Sequence, residues 1–314
     1  MTVLLTGASG FVGQAALQAL QLRGVAVRPV FRSAGQARGV AGTAVVSGLD
    51  ADTVWSAALQ DVDVVVHAAA RAHIMRDEAL DPLAEYRRVN VQGTLHLARQ
   101  AAAAGVRRFV FISSIKVNGE GTQPGRAFTA DDAPAPEDAY GLSKAEAEAG
   151  LRELCRAAGM ELTIIRPVLV YGPGVKGNLA SMLRWVRRAL PLPLGAVTDN
   201  RRSLVALDNL VDFMLVCMEH PQAANQVFLV SDGEDVSTAQ LLRNMAAALQ
   251  CPSRLLPVPV GLLRLGARLL GKQAVAQRLL GSLQVDITKN RKLLGWTPPV
   301  TMQAALQKMK KADA

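Results

Sequence analysis

The sequence predicts an α/β fold: a doubly wound parallel sheet with a smaller mixed C-terminal domain. Three observations carry this. Short apolar runs alternate with helical periodicity through the first half of the chain, glycines punctuate the helix ends, and after Arg166-Pro167 that rhythm stops. Repeated strand–helix units with short links close into a parallel sheet. The expected boundary puts one domain at residues 1–167, with a return to its sheet around 205–232, and a second mainly at 168–314.

Val3-Leu4-Leu5 is an apolar strand that meets a glycine turn, and Gln14 to Leu22 carries helical periodicity behind it. Val25 to Phe31 reads as a second strand after Gly24, and Ala44 to Val46 as a weaker one. Val62 to Ala69 is a continuous apolar run of the kind buried on both faces of a sheet. A helix is predicted over Pro82 to Ala104, ending at Gly105, followed by the strand Phe109 to Ile112. The next helix, Tyr140 to Ala158, ends at Gly159 before the strand Leu162 to Ile165. Beyond it, Pro173, Pro191-Leu192-Pro193 and Pro257-Val258-Pro259 separate shorter elements, and Val227 to Val230 is expected to rejoin the sheet.

At 314 residues and 50% hydrophobic content the chain is long enough for a large core and two domains. Cys155, Cys217 and Cys251 have no CxxC spacing, and His67, His73, His96 and His220 lack ligand spacing, so neither a disulfide framework nor a metal is expected. Met1 runs into a strand without a basic leader, and no apolar run spans a bilayer, which favours a soluble protein in a reducing cytoplasm. The charge of +9 invites a nucleic-acid partner, but 4% aromatics with no basic-aromatic cluster argue against it. A basic surface also attracts anionic small molecules. Leu262 to Lys272 is basic and amphipathic enough for peripheral membrane contact, yet base rates favour a helix packing its leucines on the domain.

Gly7, Gly10 and Gly13 in Thr6-Gly7-Ala8-Ser9-Gly10-Phe11-Val12-Gly13 give a GxxGxxG spacing between strand and helix. Glycines there let the backbone approach a pyrophosphate, while the helix start supplies N–H groups and a positive dipole end. This is a Rossmann-type dinucleotide turn. At the end of the second strand a carboxylate would bond both ribose hydroxyls, but the sequence has Phe31-Arg32-Ser33, and an arginine suits a 2′-phosphate. NADP(H) is therefore expected over NAD(H).

Tyr140 and Lys144 lie four residues apart on one helical face. An ammonium beside a phenol lowers a pKa of about 10 toward neutrality, where the tyrosine exchanges a proton with a sugar or alcohol oxygen. Ser113 and Ser114 close the strand Phe109 to Ile112, at the edge where open α/β sheets bind ligands. Ser114 is the favoured catalytic hydroxyl and Ser113 a turn residue, with the two assignments exchangeable.

This constellation resembles the extended short-chain dehydrogenase/reductase family, in its nucleotide-sugar epimerase/dehydratase branch. The resemblance runs nearly end to end: the TGASGFVG turn, His67-Ala68-Ala69-Ala70, Asn90 within Val89-Asn90-Val91-Gln92-Gly93-Thr94, the serine strand, the tyrosine–lysine pair, Arg166-Pro167 with Tyr171-Gly172-Pro173-Gly174, and Leu294-Gly295-Trp296-Thr297-Pro298. It implies a catalytic set of Ser114, Tyr140 and Lys144, with Asn90 ordering the lysine. It implies cofactor contacts at Gly7, Ser9, Gly10, Phe11, Val12, Gly13, Arg32, Ala68, Ala69, Ala70, Tyr140, Lys144 and Pro167. Asn178 and Arg201 would hold a substrate diphosphate, with Ser113, Lys116, Arg202 and Arg278 as further substrate contacts. Similar enzymes form homodimers through the helices containing Tyr86 to Ala104 and Tyr140 to Ala158.

Two departures narrow the reaction. Sugar-nucleotide dehydratases carry Asp-Glu after the catalytic hydroxyl where this chain has Ile115-Lys116, so water elimination lacks its acid and base. Phe31-Arg32 removes the ribose-binding acid usual in epimerases. The segment Ile112 to Glu120 is similar to that of bacterial surface-polysaccharide enzymes (O-antigen, lipopolysaccharide) that reduce UDP-4-keto-6-deoxy-N-acetylhexosamines at C4. The leading expectation is thus an NADP(H)-dependent reductase of a UDP-linked 4-keto-6-deoxy sugar. A UDP-glucose or UDP-N-acetylglucosamine 4-epimerase with retained NAD is the alternative. A non-catalytic NADP sensor or scaffold ranks lowest, since such a module needs no Ser114, Tyr140 and Lys144. The loops 116–138 and 175–194 are expected to shape the sugar and nucleotide pockets.

Overall fold

The computed structural model describes residues 1–37, 39–72, 81–123 and 125–312. The strands are β1 (Thr2–Thr6), β2 (Ala26–Phe31), β3 (Ala44–Val45), β4 (Val64–His67), β5 (Arg108–Ile112), β6 (Glu161–Pro167), β7 (Leu169–Tyr171), β8 (Arg202–Ala206), β9 (Gln226–Val230) and β10 (Asp235–Val236). The helices are α1 (Phe11–Leu22), α2 (Ser56–Leu59), α3 (Pro82–Tyr86), α4 (Thr94–Ala103), α5 (Ala139–Ala158), α6 (Asn178–Arg187), α7 (Leu207–Glu219), α8 (Thr238–Leu249), α9 (Val260–Leu269), α10 (Gln273–Leu280), α11 (Thr288–Leu294) and α12 (Met302–Ala312).

A seven-stranded sheet has the order β3-β2-β1-β4-β5-β6-β9, with every pair parallel. Alternation along its strands divides the core in two. Val3, Leu5, Val64, Val66, Val110 and Ile112 meet Ala16, Leu20 of α1 and Leu210, Phe213 of α7 on one face. On the other, Leu4, Val65, Phe109 and Phe111 meet Leu97, Ala101 of α4 and Leu151, Cys155 of α5. Each valine, leucine, isoleucine or phenylalanine among them, fully buried, contributes about 1.5–3 kcal/mol. A small sheet, β10-β8-β7, mixes one parallel and one antiparallel pair. A third cluster, with Leu183, Leu242, Met245, Leu306 and Met309, packs α6, α8 and α12 together.

The strand and helix expectations in the first half hold, with shifts of a few residues at their ends. One is corrected. The continuous helix expected over Pro82 to Ala104 contains a π-turn at Arg87–Gly93 between α3 and α4. Apolar spacing does not reveal an extra residue in a helical turn. The turn places Asn90 inside the protein, and Gly93 lets the helix pass the Leu49-Asp50 backbone. The alanine-rich faces of α4 and α5 pack within one chain: at Gly150 a Cβ would lie 2.8 Å from the Leu95 side chain.

Gly93→Ala tests this passage. Alanine gains about 1 kcal/mol in helix propensity, but its Cβ would sit 2.6 Å from the Leu49 carbonyl oxygen, a backbone atom with no rotamer to change. Crowding is expected to win, lowering stability by about 1–3 kcal/mol in urea titrations. A variant as stable as wild type would show that the 49–50 segment yields freely.

Candidate active site

β1, β4, β5 and β6 end side by side at the carboxyl edge of the main sheet, next to the point where strand order reverses between β1 and β4. The glycine turn follows β1, Ala68 to Ala70 follow β4, Ser113 and Ser114 follow β5, and Pro167 ends β6. Gly7 has φ +72°, and a Cβ there would lie 2.7 Å from Ala69 N. At Gly13 it would lie 2.0 Å from the Gly7 carbonyl oxygen, which also accepts the Gly10 N–H at 2.8 Å. α1 opens at Gly10 without a side-chain cap. Ser9 and Gly10 are exposed, Phe11 and Val12 half-buried. These features fit a dinucleotide pyrophosphate, because the turn brings bare backbone and an uncapped helix start to one place. Arg32 stands exposed after β2 with no ion-pair partner among the described residues.

α5 is started by Asp138, whose carboxylate accepts the Gly141 N–H at 2.7 Å. Gly141 is needed there, since a Cβ would meet the Lys116 carbonyl oxygen at 2.7 Å. This seat brings Tyr140 beside Ser114. The Ser114 hydroxyl accepts Lys116 N–H at 3.2 Å. Burial, then Asp138 and Tyr86, push the Tyr140 phenol above its ordinary value, and the neighbouring Ser114 hydroxyl pulls the other way. The expected depression by Lys144 is absent in this arrangement. The Lys144 Nζ instead donates to the Ile112 carbonyl at 2.8 Å and lies 4.4 Å from the Phe111 ring centre. Burial brings this amine down to about 7, against the pull of Glu148.

Asn90 does not bond Lys144 directly. Its carboxamide accepts from Arg71 N at 2.8 Å and donates to the Arg71 carbonyl at 3.1 Å and to Ser143 Oγ at 3.0 Å. Ser143 in turn donates to the Tyr140 carbonyl at 2.8 Å. Asn90 therefore fixes the helical turn that carries Tyr140 and Lys144 to the segment after β4.

Ser113 is buried and donates to Glu148 at 2.6 Å, so it serves the scaffold in this structure and is not presented to a substrate. Glu148, fully buried, also accepts from Arg166 at 2.6 and 2.9 Å and from Arg152 at 2.9 Å. Arg166 further donates to Asn118 at 2.9 Å. Lys116 is likewise engaged: it pairs with Glu120 at 2.6 Å and with Asp138. Burial opposes its charge, but the two carboxylates outweigh that and hold its pKa above the ordinary value.

The remaining substrate candidates lie on other elements. Asn178 is exposed at the start of α6. The Arg201 guanidinium donates to the carbonyls of Thr198 at 2.7 Å and Asn200 at 3.0 Å, and that of Arg202 to Gly281 at 3.3 Å. Burial lowers the Arg202 pKa. Arg278 is exposed on α10, three residues before Gly281. His67 is fully buried between Thr6 (2.7 Å) and Thr94 (2.9 Å), where burial and then Lys144 depress its pKa to about 3, so it packs as a neutral ring. His73 lies outside the described residues. Among those described, no cluster of His, Cys, Asp or Glu is placed to hold a metal ion. A hollow of about 860 Å³ opens at the amino ends of β6 and β9, opposite this edge.

Sequence reasoning missed Glu148, Ser143 and Asp138 as site-building residues. A signal for Glu148 existed: Tyr140, Lys144 and Glu148 repeat every four residues on one face of α5. Asp138 carried a helix-start signal, an aspartate before the first turn.

Two measurements probe the ends of the site. Arg32→Asp is expected to shift the ratio of NADP(H) to NAD(H) affinity toward NAD(H) by about tenfold or more, read by fluorescence titration; an unchanged ratio would remove Arg32 from the cofactor site. For Lys144, between its depressed pKa of about 7 and the ordinary 10.5 the unfolded chain holds a proton that the folded protein lacks. Its contribution to stability therefore rises as pH climbs through that window and falls as pH drops toward 7. From about pH 7 to about pH 9 the thermal midpoint of wild type should gain a few degrees more than that of Lys144→Met. Equal gains would mean that Lys144 stays fully protonated.

The family model described as NAD dependent epimerase/dehydratase family matches residues 3–231. The chain is 49% identical over 313 residues to a UDP-glucose 4-epimerase of Vibrio cholerae, covering 99% of this chain and 95% of that protein. A UDP-N-acetylglucosamine 4-epimerase from Bacillus cereus superposes with TM-score 0.80 at 18% identity, covering 99% of this chain and 98% of the other. A UDP-glucose 4-epimerase with UDP-glucose, from Thermotoga maritima, does so with TM-score 0.76 at 22% identity, covering 100% and 98%. The two structures speak to the fold, while the family model and the full-length relative speak to descent: the chain belongs to the NAD dependent epimerase/dehydratase family and is an NAD(P)-dependent enzyme of the extended short-chain dehydrogenase/reductase type.

Proposed function

We propose that this enzyme inverts C4 of a UDP-linked hexose, UDP-glucose or UDP-N-acetylglucosamine, and keeps its dinucleotide through the cycle. The observation that carries the reading is the 49% identity with the Vibrio cholerae UDP-glucose 4-epimerase across 99% of this chain. It favours epimerisation over the reduction of a 4-keto-6-deoxy sugar, which the sequence alone put first. Arg32 is one of the two grounds for a reductase, beside the likeness of the Ile112 to Glu120 segment. Its place after β2, at the adenosine end, bears on which dinucleotide is held and not on whether the nicotinamide leaves reduced. The proposed cofactor is NADP(H), supported by that exposed arginine, with NAD(H), named by the family's description, as the alternative.

When bound, the nicotinamide supplies reversible hydride exchange at the sugar C4. Tyr140 Oη takes the proton of the C4 hydroxyl and returns it once the keto sugar has turned its other face, and Ser114 Oγ donates to the C4 oxygen while it is a carbonyl. Burial and Asp138 favour the neutral phenol, so proton release from Tyr140 needs a positive neighbour. Lys144, one helical turn on, is the cation of that face, and a pKa of about 7 lets it change charge near neutrality. Water elimination is disfavoured, because Ile115 carries no carboxylate and Lys116 is bound to Glu120 and Asp138. We assign residues 168–314 mainly to the nucleotide sugar, with Asn178, Arg201, Arg202 and Arg278 toward its diphosphate. Arg201 and Arg202 would exchange carbonyl partners for phosphate oxygens. The free thiols of Cys155, Cys217 and Cys251 fit a reducing cytoplasm. A homodimer through α4 and α5 completes the proposal.

The experiment is NMR of UDP-glucose, and separately of UDP-N-acetylglucosamine, incubated with enzyme and no added reductant. Appearance of the C4 epimer is expected. Its absence, together with stoichiometric NADPH consumption on a UDP-4-keto-6-deoxy-N-acetylhexosamine, would make the enzyme a reductase. In either assay Tyr140→Phe should cost about 10²–10⁴-fold in kcat while dinucleotide affinity stays near wild type; a near-wild-type rate would exclude Tyr140 as the proton carrier.

A further inference from the structure

α9 inverts the usual layout of a surface helix. Base rates predicted that its leucines pack on the domain, but no residue of α9 is fully buried. Leu262, Leu265 and Leu269, spaced i, i+3, i+7, are 59%, 53% and 78% exposed, and Leu270 is 71% exposed. Only partly buried side chains such as Val260 and Leu263 touch the cluster beneath. The outward stripe is thus apolar, and Arg264, Arg268 and Lys272 stand exposed along it. None of these three cations has an ion-pair partner among the described residues.

Charge decides what this stripe can accept. Between Asp235 and Asp286 the chain has no acidic residue and six basic ones, Arg243, Arg254, Arg264, Arg268, Lys272 and Arg278. A second copy docked stripe to stripe would press these cations against their own counterparts with no local carboxylate to compensate. An anionic bilayer offers the opposite: phosphates for the cations and acyl chains for the leucines, the arrangement of a helix lying in a membrane interface. We propose that α9 and its turn into α10 form a docking surface for an anionic phospholipid membrane. The enzyme binds there peripherally, since among the described residues no helix is long and apolar enough to cross a membrane. α10 runs on to Gly281 and Ser282, which contact Arg202 and Arg201, so the docked face adjoins the segment that carries those arginines.

Co-sedimentation of the full-length protein with vesicles tests this. Vesicles of phosphatidylcholine with roughly 30% phosphatidylglycerol, at about 0.1 M salt, are expected to bind the protein at least tenfold more tightly than pure phosphatidylcholine. Two triple variants separate the contributions, L262Q/L265Q/L269Q and R264Q/R268Q/K272Q. Each should lose binding about tenfold or more with its thermal midpoint and turnover unchanged, because the altered side chains are exposed and outside the active site. Absence of binding to the anionic vesicles would overturn the proposal. So would undiminished binding by the leucine variant, which would leave only general basicity. A concentration-dependent dimer that the leucine variant abolishes, without vesicle binding, would assign the stripe to a second copy instead.

Discussion

A single buried carboxylate organises the catalytic edge. Glu148 on α5 receives Ser113 from the end of β5, Arg166 from β6 and Arg152 from its own helix. Arg166 passes the connection to Asn118 in the turn beyond β5. Ser114 immediately follows Ser113, and Tyr140 and Lys144 lie on the same helical face as Glu148. The cluster thereby ties the hydroxyl strand to the tyrosine helix. Taking such charges from water is costly, and they are tolerated because each is met by hydrogen-bonding partners. Removing one partner of a buried pair typically costs about 3–5 kcal/mol. The return is positional: two elements that never pair through backbone are held in register by side chains.

A second carboxylate joins the small sheet to the large one. Asp232, just past β9, accepts from Tyr171 of β7 at 2.7 Å, from Ala206 N at the end of β8 at 2.8 Å, and from Asn209 of α7 at 2.7 Å. Elements of both sheets thus converge on one residue. Asn209 continues to the Val300 carbonyl at 2.8 Å, which fastens the chain's last segment to the same point.

The sequence made the backbone order of this fold legible because its signals are local. Apolar runs, glycine stops and the aspartate before α5 act within a few residues. The tyrosine–lysine spacing and the glycine turn located the edge where the site lies. What stayed hidden was set by contacts across the chain. Lys116 reads as a substrate contact, yet Asp138, distant in sequence, captures it. Ser113 and Ser114 are indistinguishable as letters, and only the pleat sends the first inward to Glu148 and leaves the second beside Tyr140. Periodicity showed that α9 has an apolar face but not that this face looks outward, since a hydrophobic stripe has the same spacing whether a core or a solvent lies beyond it.

The π-turn at Arg87–Gly93 acts as a phase shifter between α3 and α4. A helix advances about 100° per residue, so one additional residue in a turn rotates everything upstream by that angle relative to everything downstream. Tyr86, whose ring lies 6.0 Å from that of Tyr140, stands before the offset, while Leu97 and Ala101, packed in the core, stand after it. With the extra residue, both faces meet their partners at once. In the evolution of this lineage, single-residue insertions and deletions in this stretch would therefore be coupled to the tyrosine site, which the same stretch reaches through Asn90.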